Sequence, residues 1–239
     1  MRFLDLTYPS AAENLACDEA ILDQCEEGSG METLRFWESP GHFVVLGLSG
    51  ELRKEVREEK CAARGIPLLR RVSGGGTVVQ GPGVLNYAVV ICPGANHEAS
   101  TVRGAHRFVL GRLAGAIASL TGDVVQREGD SDLAIAGRKI SGNAQRRRGR
   151  AVLVHGTLLL GLDLSIVEDV LPLPDRRPQY REGRGHSAFM RNLHISGITV
   201  KERLCEAWNA REPATPPEET RMQQLIEQRY GRESWIRRR

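Results

Sequence analysis

Apolar residues recur at intervals of three and four from Val102 through Ala105, Val109, Leu113, Ala116 and Ile117 to Leu120, which predicts an amphipathic helix over about 101–120. Near the N-terminus, Ser10 and Glu13 have the spacing of a capping box, in which a hydroxyl and a carboxylate satisfy each other's backbone amides, and a helix over about 11–27 follows. Leu34 to Trp37 and His42 to Gly47 are apolar runs broken by Pro40 and Gly41, which suits two strands of a hairpin. Residues 52–64 have a charged helical pattern, with Gly65 as its stop. Pro67 to Arg71, Thr77 to Gln80 and Val84 to Ile91 then read as strands, separated by Gly74 to Gly76 and by Gly81, Pro82 and Gly83.

Two further strands, near 133–136 and 138–145, pivot at Gly137 and present Lys139 just after a tight turn. Ala151 to Leu160 is apolar except at His155 and Thr157, the pattern of a strand buried on both faces. Pro172, Pro174 and Pro178 among several arginines mark an irregular segment to about 190. Two helices with capping boxes, Thr199 with Glu202 and Thr215 with Glu218, close the chain, and Met222, Leu225, Ile226 and Tyr230 give the second an apolar face.

Composition narrows the classes. With 239 residues the chain can bury one large core. A formal charge of +3 is too slight to argue for nucleic acid, and aromatics, at 5%, do not interleave with a basic stripe, so no nucleic-acid partner is expected. The basic run Arg146, Arg147, Arg148 and Arg150 reads as a solvated hairpin tip or as a steering patch for an acidic protein. Five cysteines, Cys17, Cys25, Cys61, Cys92 and Cys205, form no C-x-x-C or ligand spacing, which suits a reduced, cytoplasmic setting. No signal-peptide core and no eighteen-residue apolar window occur, so no membrane span is expected.

The chemistry centres on two segments. In Arg70, Arg71, Val72, Ser73, Gly74, Gly75, Gly76 and Thr77, three glycines free backbone amides to approach an anion, while the arginines offer counter-charge. This is neither a P-loop nor a dinucleotide fingerprint, because a strand rather than a helix follows, and a plain turn or bulge is the other reading. The second segment is Gly137, Arg138, Lys139, Ile140, Ser141, Gly142, Asn143, Ala144 and Gln145. Lys139 is one of only four lysines among 33 basic residues, so it stands out as a point charge for a carboxylate or phosphate, the alternative being a solvated hairpin lysine. His155, Asp132, Asn86 and Gln80 are polar residues at strand positions or ends whose roles the spacing leaves open.

Taken in order, Asn14 to Ala20, Arg70 to Gly76, Gly83 with Leu85 to Tyr87, Ser131 to Leu133, Lys139 to Gln145 and His155 to Leu159 resemble the lipoate protein ligase A family, over about residues 10–165. The resemblance implies the biotin/lipoate ligase catalytic fold: an α+β domain with a large mixed sheet, a smaller sheet and flanking helices. It places a catalytic domain at 1–198 and a C-terminal helical appendage at 199–239, packed on the same domain. It also implies a two-step reaction in which lipoate or octanoate reacts with ATP to give an acyl-adenylate, and a lysine of a lipoyl-domain or H-protein type acceptor then takes the acyl group.

By position, Lys139 would hold the carboxyl and phosphate oxygens through both transition states. Arg70 and Ser73 to Gly76 would line the acyl and phosphate region. Asp132 would help hold Mg²⁺ or the adenylate. Gln80, Asn86, Ser141, Gly142, Ala144 and His155 complete the binding set. The family usually carries histidine at Gln80, and often Arg-Gln where this chain has Leu48 and Ser49, departures that bear on pocket specificity. About forty residues follow the catalytic stretch, so a separate accessory protein is one expectation. The alternatives are an acyltransferase working through a cysteine thioester and a noncatalytic module that binds lipoate or a lipoyl domain.

Overall fold

A computed structural model describes residues 1–29, 31–95 and 97–239. In chain order it contains β1 (Arg2–Asp5), α1 (Ala11–Gln24), β2 (Thr33–Trp37), β3 (Phe43–Leu46), α2 (Leu52–Glu55), α3 (Glu58–Ala63), β4 (Leu68–Arg70), β5 (Val78–Gln80) and β6 (Val84–Ile91). Then come α4 (Val102–Thr121), β7 (Val125–Glu128), β8 (Asp132–Ile135), β9 (Arg138–Arg148), β10 (Ala151–Leu159), α5 (Leu164–Val170), α6 (His186–Phe189), α7 (Gly197–Ala207), β11 (Glu212–Pro213), α8 (Glu219–Leu225) and α9 (Glu233–Ile236). Among the described residues, eight strands form a mixed sheet in the order β11-β1-β2-β6-β10-β9-β8-β7, and three form a smaller sheet in the order β4-β3-β5. The fold is the α+β class with the two sheets expected. No helix among these residues is long and apolar enough to cross a membrane.

The large sheet is covered differently on its two faces because side chains alternate along every strand. Leu34, Phe36, Tyr87, Val89, Val154 and Leu158 point one way and pack under α4 and α7. Trp37, Ala88, Val90 and Leu153 point the other way, against α1, α8 and the inner side of the small sheet. The outer side of that sheet is closed by Leu52, Val56, Cys61 and α5 residues Ile166, Val167 and Val170. Helix α1 starts at the predicted capping box, with both Ser10 and Glu13 hydrogen bonds formed, and α4 runs from its Thr101 cap to Gly122 in the left-handed conformation.

Several sequence expectations give way to tertiary structure. β2 and β3 are not a hairpin: both are wholly buried, each lies between two partners in a different sheet, and the Pro40 segment carries the chain across. The single helix expected over 52–64 is two short ones, because Val56 turns extended to fill the outer core and the Arg57 amide donates to Val170 O at 2.8 Å. α7 begins after Ser196 and α8 after Glu218, so Thr199 and Thr215 are not their caps; burial of Val200, Leu204, Met222 and Leu225 sets where these helices run. The β8–β9 turn is as anticipated, with Ala136 and Gly137 both at positive φ, as a tight two-residue hairpin loop requires.

Residues beyond 199 are built into the same body. β11 pairs with the edge of β1, α8 lies on α1, and the Trp235 indole donates to Arg70 O at 2.9 Å.

Candidate active site

Pairing register places the candidate residues. Asn86 lies opposite Thr157, His155 opposite Ala144, Thr157 opposite Gly142, and Gly142 opposite Asp132. All of these therefore share the sheet face that looks toward α1 and the small sheet. Lys139 reaches this face across a register shift in β8, and its ammonium is 2.7 Å from Asp132 Oδ1. A side chain at Gly142 would put its Cβ 2.8 Å from both Cε and Nζ of Lys139, so the glycine is the floor on which the lysine lies. Asp132 accepts a second hydrogen bond at Oδ2, from the Tyr180 hydroxyl at 2.8 Å. Burial, reinforced by the Asp132 charge, pushes the Tyr180 phenol far above its usual range, so it stays a donor.

The glycine segment joins β4 to β5 and is shaped from within by Arg71. Its guanidinium donates to Gly74 O at 2.6 Å and Gly76 O at 2.9 Å, and its Nε to Ser73 Oγ at 3.0 Å. Burial lowers the Arg71 pKa to about 10, with Glu55 acting in the opposite direction, so the group remains a cation at neutral pH. Gly75 is at φ +89°, and a Cβ there would meet Arg71 at 2.9 Å and lie 3.7 Å from the Ala144 methyl. Ala144 is two residues from Gly142, about 7 Å along the strand. Glycine loop and Lys139 are thus adjacent on one face.

Beside them runs a buried polar chain. Ser73 Oγ is 2.6 Å from His155 Nε2, His155 Nδ1 is 3.4 Å from Asp18 Oδ2, and the other Asp18 oxygen is paired with Arg35. Burial would raise the Asp18 carboxyl, but Arg35 and the His155 hydrogen bond more than reverse this and hold it below the usual carboxylate range. A carboxylate only accepts, so Nδ1 carries the ring proton; in the neutral imidazole Nε2 then accepts from Ser73, whose hydroxyl is oriented from both sides.

Not every candidate joins this cluster. Arg70 is fully buried with its guanidinium on the carbonyls of Gly47 at 2.8 Å, Gly50 at 2.7 Å and Ile236 at 2.9 Å, which ties the 47–50 loop to the C-terminal turn. Ser141 points to the opposite face, where its hydroxyl meets Asn143 Oδ1 at 3.3 Å. Gln80 lies on the small sheet with a buried Oε1 that has no partner. Asn86 is on the site face, and its buried Nδ2 is likewise unpartnered.

Residues that carried no assigned role also hold the strands in place. Asn143 is clamped by Ser131 O at 2.8 Å and by the Tyr87 hydroxyl, and Gly156 makes room for it, since a Cβ there would fall 1.8 Å from Asn143 Oδ1. Tyr180 sits in the proline-rich segment, where no periodicity marks it. The Asp18–Arg35 pair had one signal, a charged residue at a buried position of α1 and another inside the otherwise apolar β2. A hollow of about 430 Å³, lined by Ile21, Glu27, Met31 and Thr215, is away from this cluster.

The lipoyl protein ligase A/B catalytic domain family matches residues 10–203. A protein of Aeropyrum pernix described as "Putative lipoate-protein ligase A" is 35% identical over 68% of this chain, a match that spans 58% of that relative. The octanoyltransferase LipM of Symbiobacterium thermophilum is 30% identical over 98% of the chain and 97% of its own length. Among solved structures, the bi-partite lipoate protein ligase of Thermoplasma acidophilum, studied with its E2 lipoyl domain, superposes with a TM-score of 0.84 at 26% identity, covering 99% of this chain and 95% of that one. A lipoate-protein ligase A bound with ATP gives 0.85 at 25% identity, covering 99% and 98%. With the matched residues spanning most of the chain, including the glycine loop, Lys139 and His155, the protein belongs to the lipoyl protein ligase A/B catalytic domain family.

Proposed function

We propose that this chain is the catalytic unit of an ATP-dependent ligase that activates lipoate or octanoate and transfers it to a lysine of a lipoyl-domain or H-protein type acceptor. One observation carries the choice of ligase: the site face presents a lysine ammonium beside a glycine loop, and none of the five cysteine sulfurs belongs to it. Cys17 and Cys25 are fully buried, and burial pushes both thiols up to about 12. Burial likewise raises Cys61 and Cys205. A thioester-forming nucleophile needs a reachable thiol of lowered pKa.

In the first step the acid's carboxylate attacks the α-phosphorus of ATP, and pyrophosphate leaves. The Lys139 ammonium, oriented by Asp132 and by Tyr180 behind it, neutralises charge on the oxygens being joined. In the second step an acceptor amine adds to the acyl carbonyl, the same ammonium faces the tetrahedral oxyanion, and AMP departs. Because ammonium and loop are in place beforehand, little reorganisation opposes either step. The unpartnered Asn86 amide on this face supports a polar ligand group there. Ser73, fixed by Arg71 and His155, would border the same ligand.

Mg²⁺ would be held by one carboxylate, Asp132, together with phosphate oxygens. Bound there, the ion would supply charge neutralisation on the phosphates. The bi-partite character of the Thermoplasma ligase, 95% of whose chain this one covers, supports a requirement for a second polypeptide.

The similarity to LipM favours a second reading, transfer of octanoyl groups between carriers without ATP. Lipoate-dependent exchange of labelled pyrophosphate into ATP, run with and without an accessory polypeptide, tests the two. Exchange that Lys139→Ala abolishes is the expected result. Octanoyl transfer from an acylated carrier with no exchange under any condition would replace the ligase by the transferase.

A further inference from the structure

Cys25 closes α1 and Cys92 follows β6; 67 residues apart in sequence, their sulfurs lie 2.8 Å apart. That is closer than two thiols pack without bonding and within reach of a covalent bond once the sulfurs move together by less than an ångström. No other sulfur pair among the described residues is in contact. Cys17 and Cys61 are buried, and Cys205 lies on α7. We infer that Cys25 and Cys92 are a reversible intramolecular disulfide site. Sequence spacing does not reveal the pair, because strand and helix ends bring together residues that lie far apart along the chain.

The two thiols differ in a way that orders the chemistry. Cys25 is fully buried, whereas Cys92 is partly exposed. Cys92 meets a low-molecular-weight disulfide first: its thiolate attacks one sulfur, the external bond breaks, and one external thiol leaves. Cys25 then attacks the Cys92 sulfur, its proton passing to the departing external sulfur, which leaves as the second external thiol. Two protein thiols are oxidised by two electrons and one external disulfide is reduced to two thiols.

The bond would tie the C-terminal end of α1 to β6. α1 holds Asp18 against His155, and β6 carries Asn86, so the link locks together two elements that frame the site. It also lies beside Glu26, whose carboxylate accepts from the Arg150 amide at 2.7 Å and so anchors the β9–β10 turn to the same place. Closing a loop of this length raises the melting temperature by roughly 10 °C in the chain-entropy picture.

The test is equilibration of the whole chain with oxidised glutathione. Expected are a mass 2 Da below that of the reduced protein, three titratable thiols in denaturant instead of five, and a tryptic peptide linking Cys25 to Cys92. The rise in melting temperature should be reversed by dithiothreitol and absent in Cys92→Ser. Should that variant fail to fold, comparison of oxidised and reduced wild type supplies the same measurement. Five free thiols after equilibration, or glutathione retained on Cys92 without release, overturns the inference.

Discussion

Replacing Gly142 by alanine separates catalysis from stability. The new Cβ would lie 2.8 Å from Lys139 Cε and Nζ, against 3.4 Å where ordinary contact begins, so the lysine end must retreat by at least 0.6 Å. The next atom it meets, Asp132 Oδ1 at 3.8 Å, is at normal distance, so only the flexible tip of one side chain gives way. Stability should hardly change, since removing glycine from a strand favours the folded state by about 0.5–1 kcal/mol. The reacting geometry, however, is lost: a misplacement of about 1 Å costs on the order of 100-fold in rate, or about 2.7 kcal/mol of barrier. Lipoate-dependent pyrophosphate exchange should therefore fall between about 10- and 100-fold while the thermal transition stays in place. A variant that exchanges at the wild-type rate, with the same melting temperature, would refute the placement of Lys139 over Gly142. One that unfolds would show that more than the lysine tip fills that space.

Three other outcomes follow from buried groups. Asp18→Asn leaves Arg35 without its counter-charge and should lose about 3–5 kcal/mol at neutral pH. Because the folded Asp18 pKa lies below its unfolded value of about 3.9, its contribution is complete above about pH 5 and disappears as pH falls through the folded value. Denaturant midpoints of wild type and variant should accordingly converge in acid, and a gap that stays constant from neutral pH to pH 3 would contradict this. Gly156→Ala evicts the Asn143 amide from Ser131 and Tyr87 and should cost roughly 3 kcal/mol or more, measured by urea unfolding. Arg70→Ala should act first on stability, loosening the 47–50 loop and the turn at Ile236, seen as faster limited proteolysis there with about 3 kcal/mol lost; unchanged proteolysis would return Arg70 to a role at the ligand.

Elements with local signals were legible in the sequence: the Ser10–Glu13 box, the period of α4, the two-residue turn at Gly137. β1 and β7 were not, since four residues rich in charge, such as Arg2–Asp5, pattern no differently from a loop until a neighbouring strand pairs with them. The glycine loop and Lys139 could be found because each is odd where it stands. What joins them could not. Whether Ser141 or Gly142 shares a face with Asp132 and the glycine loop depends on strand register, and Arg70 and Arg71, adjacent in sequence, are sent by strand alternation to different tasks. The Ser73–His155–Asp18–Arg35 chain spans four separate segments, and no spacing rule links them.

The Arg71 guanidinium holds the carbonyl oxygens of Gly74 and Gly76 on its own side of the loop. A triglycine in solution samples more backbone conformations than any other three residues, and freezing it at the moment of encounter would consume much of the affinity gained. Here that ordering is completed during folding, by one side chain from the same loop. Affinity for an anion should then be limited by desolvation rather than by chain entropy, and backbone order parameters across Gly74 to Gly76 should already be high in the ligand-free protein.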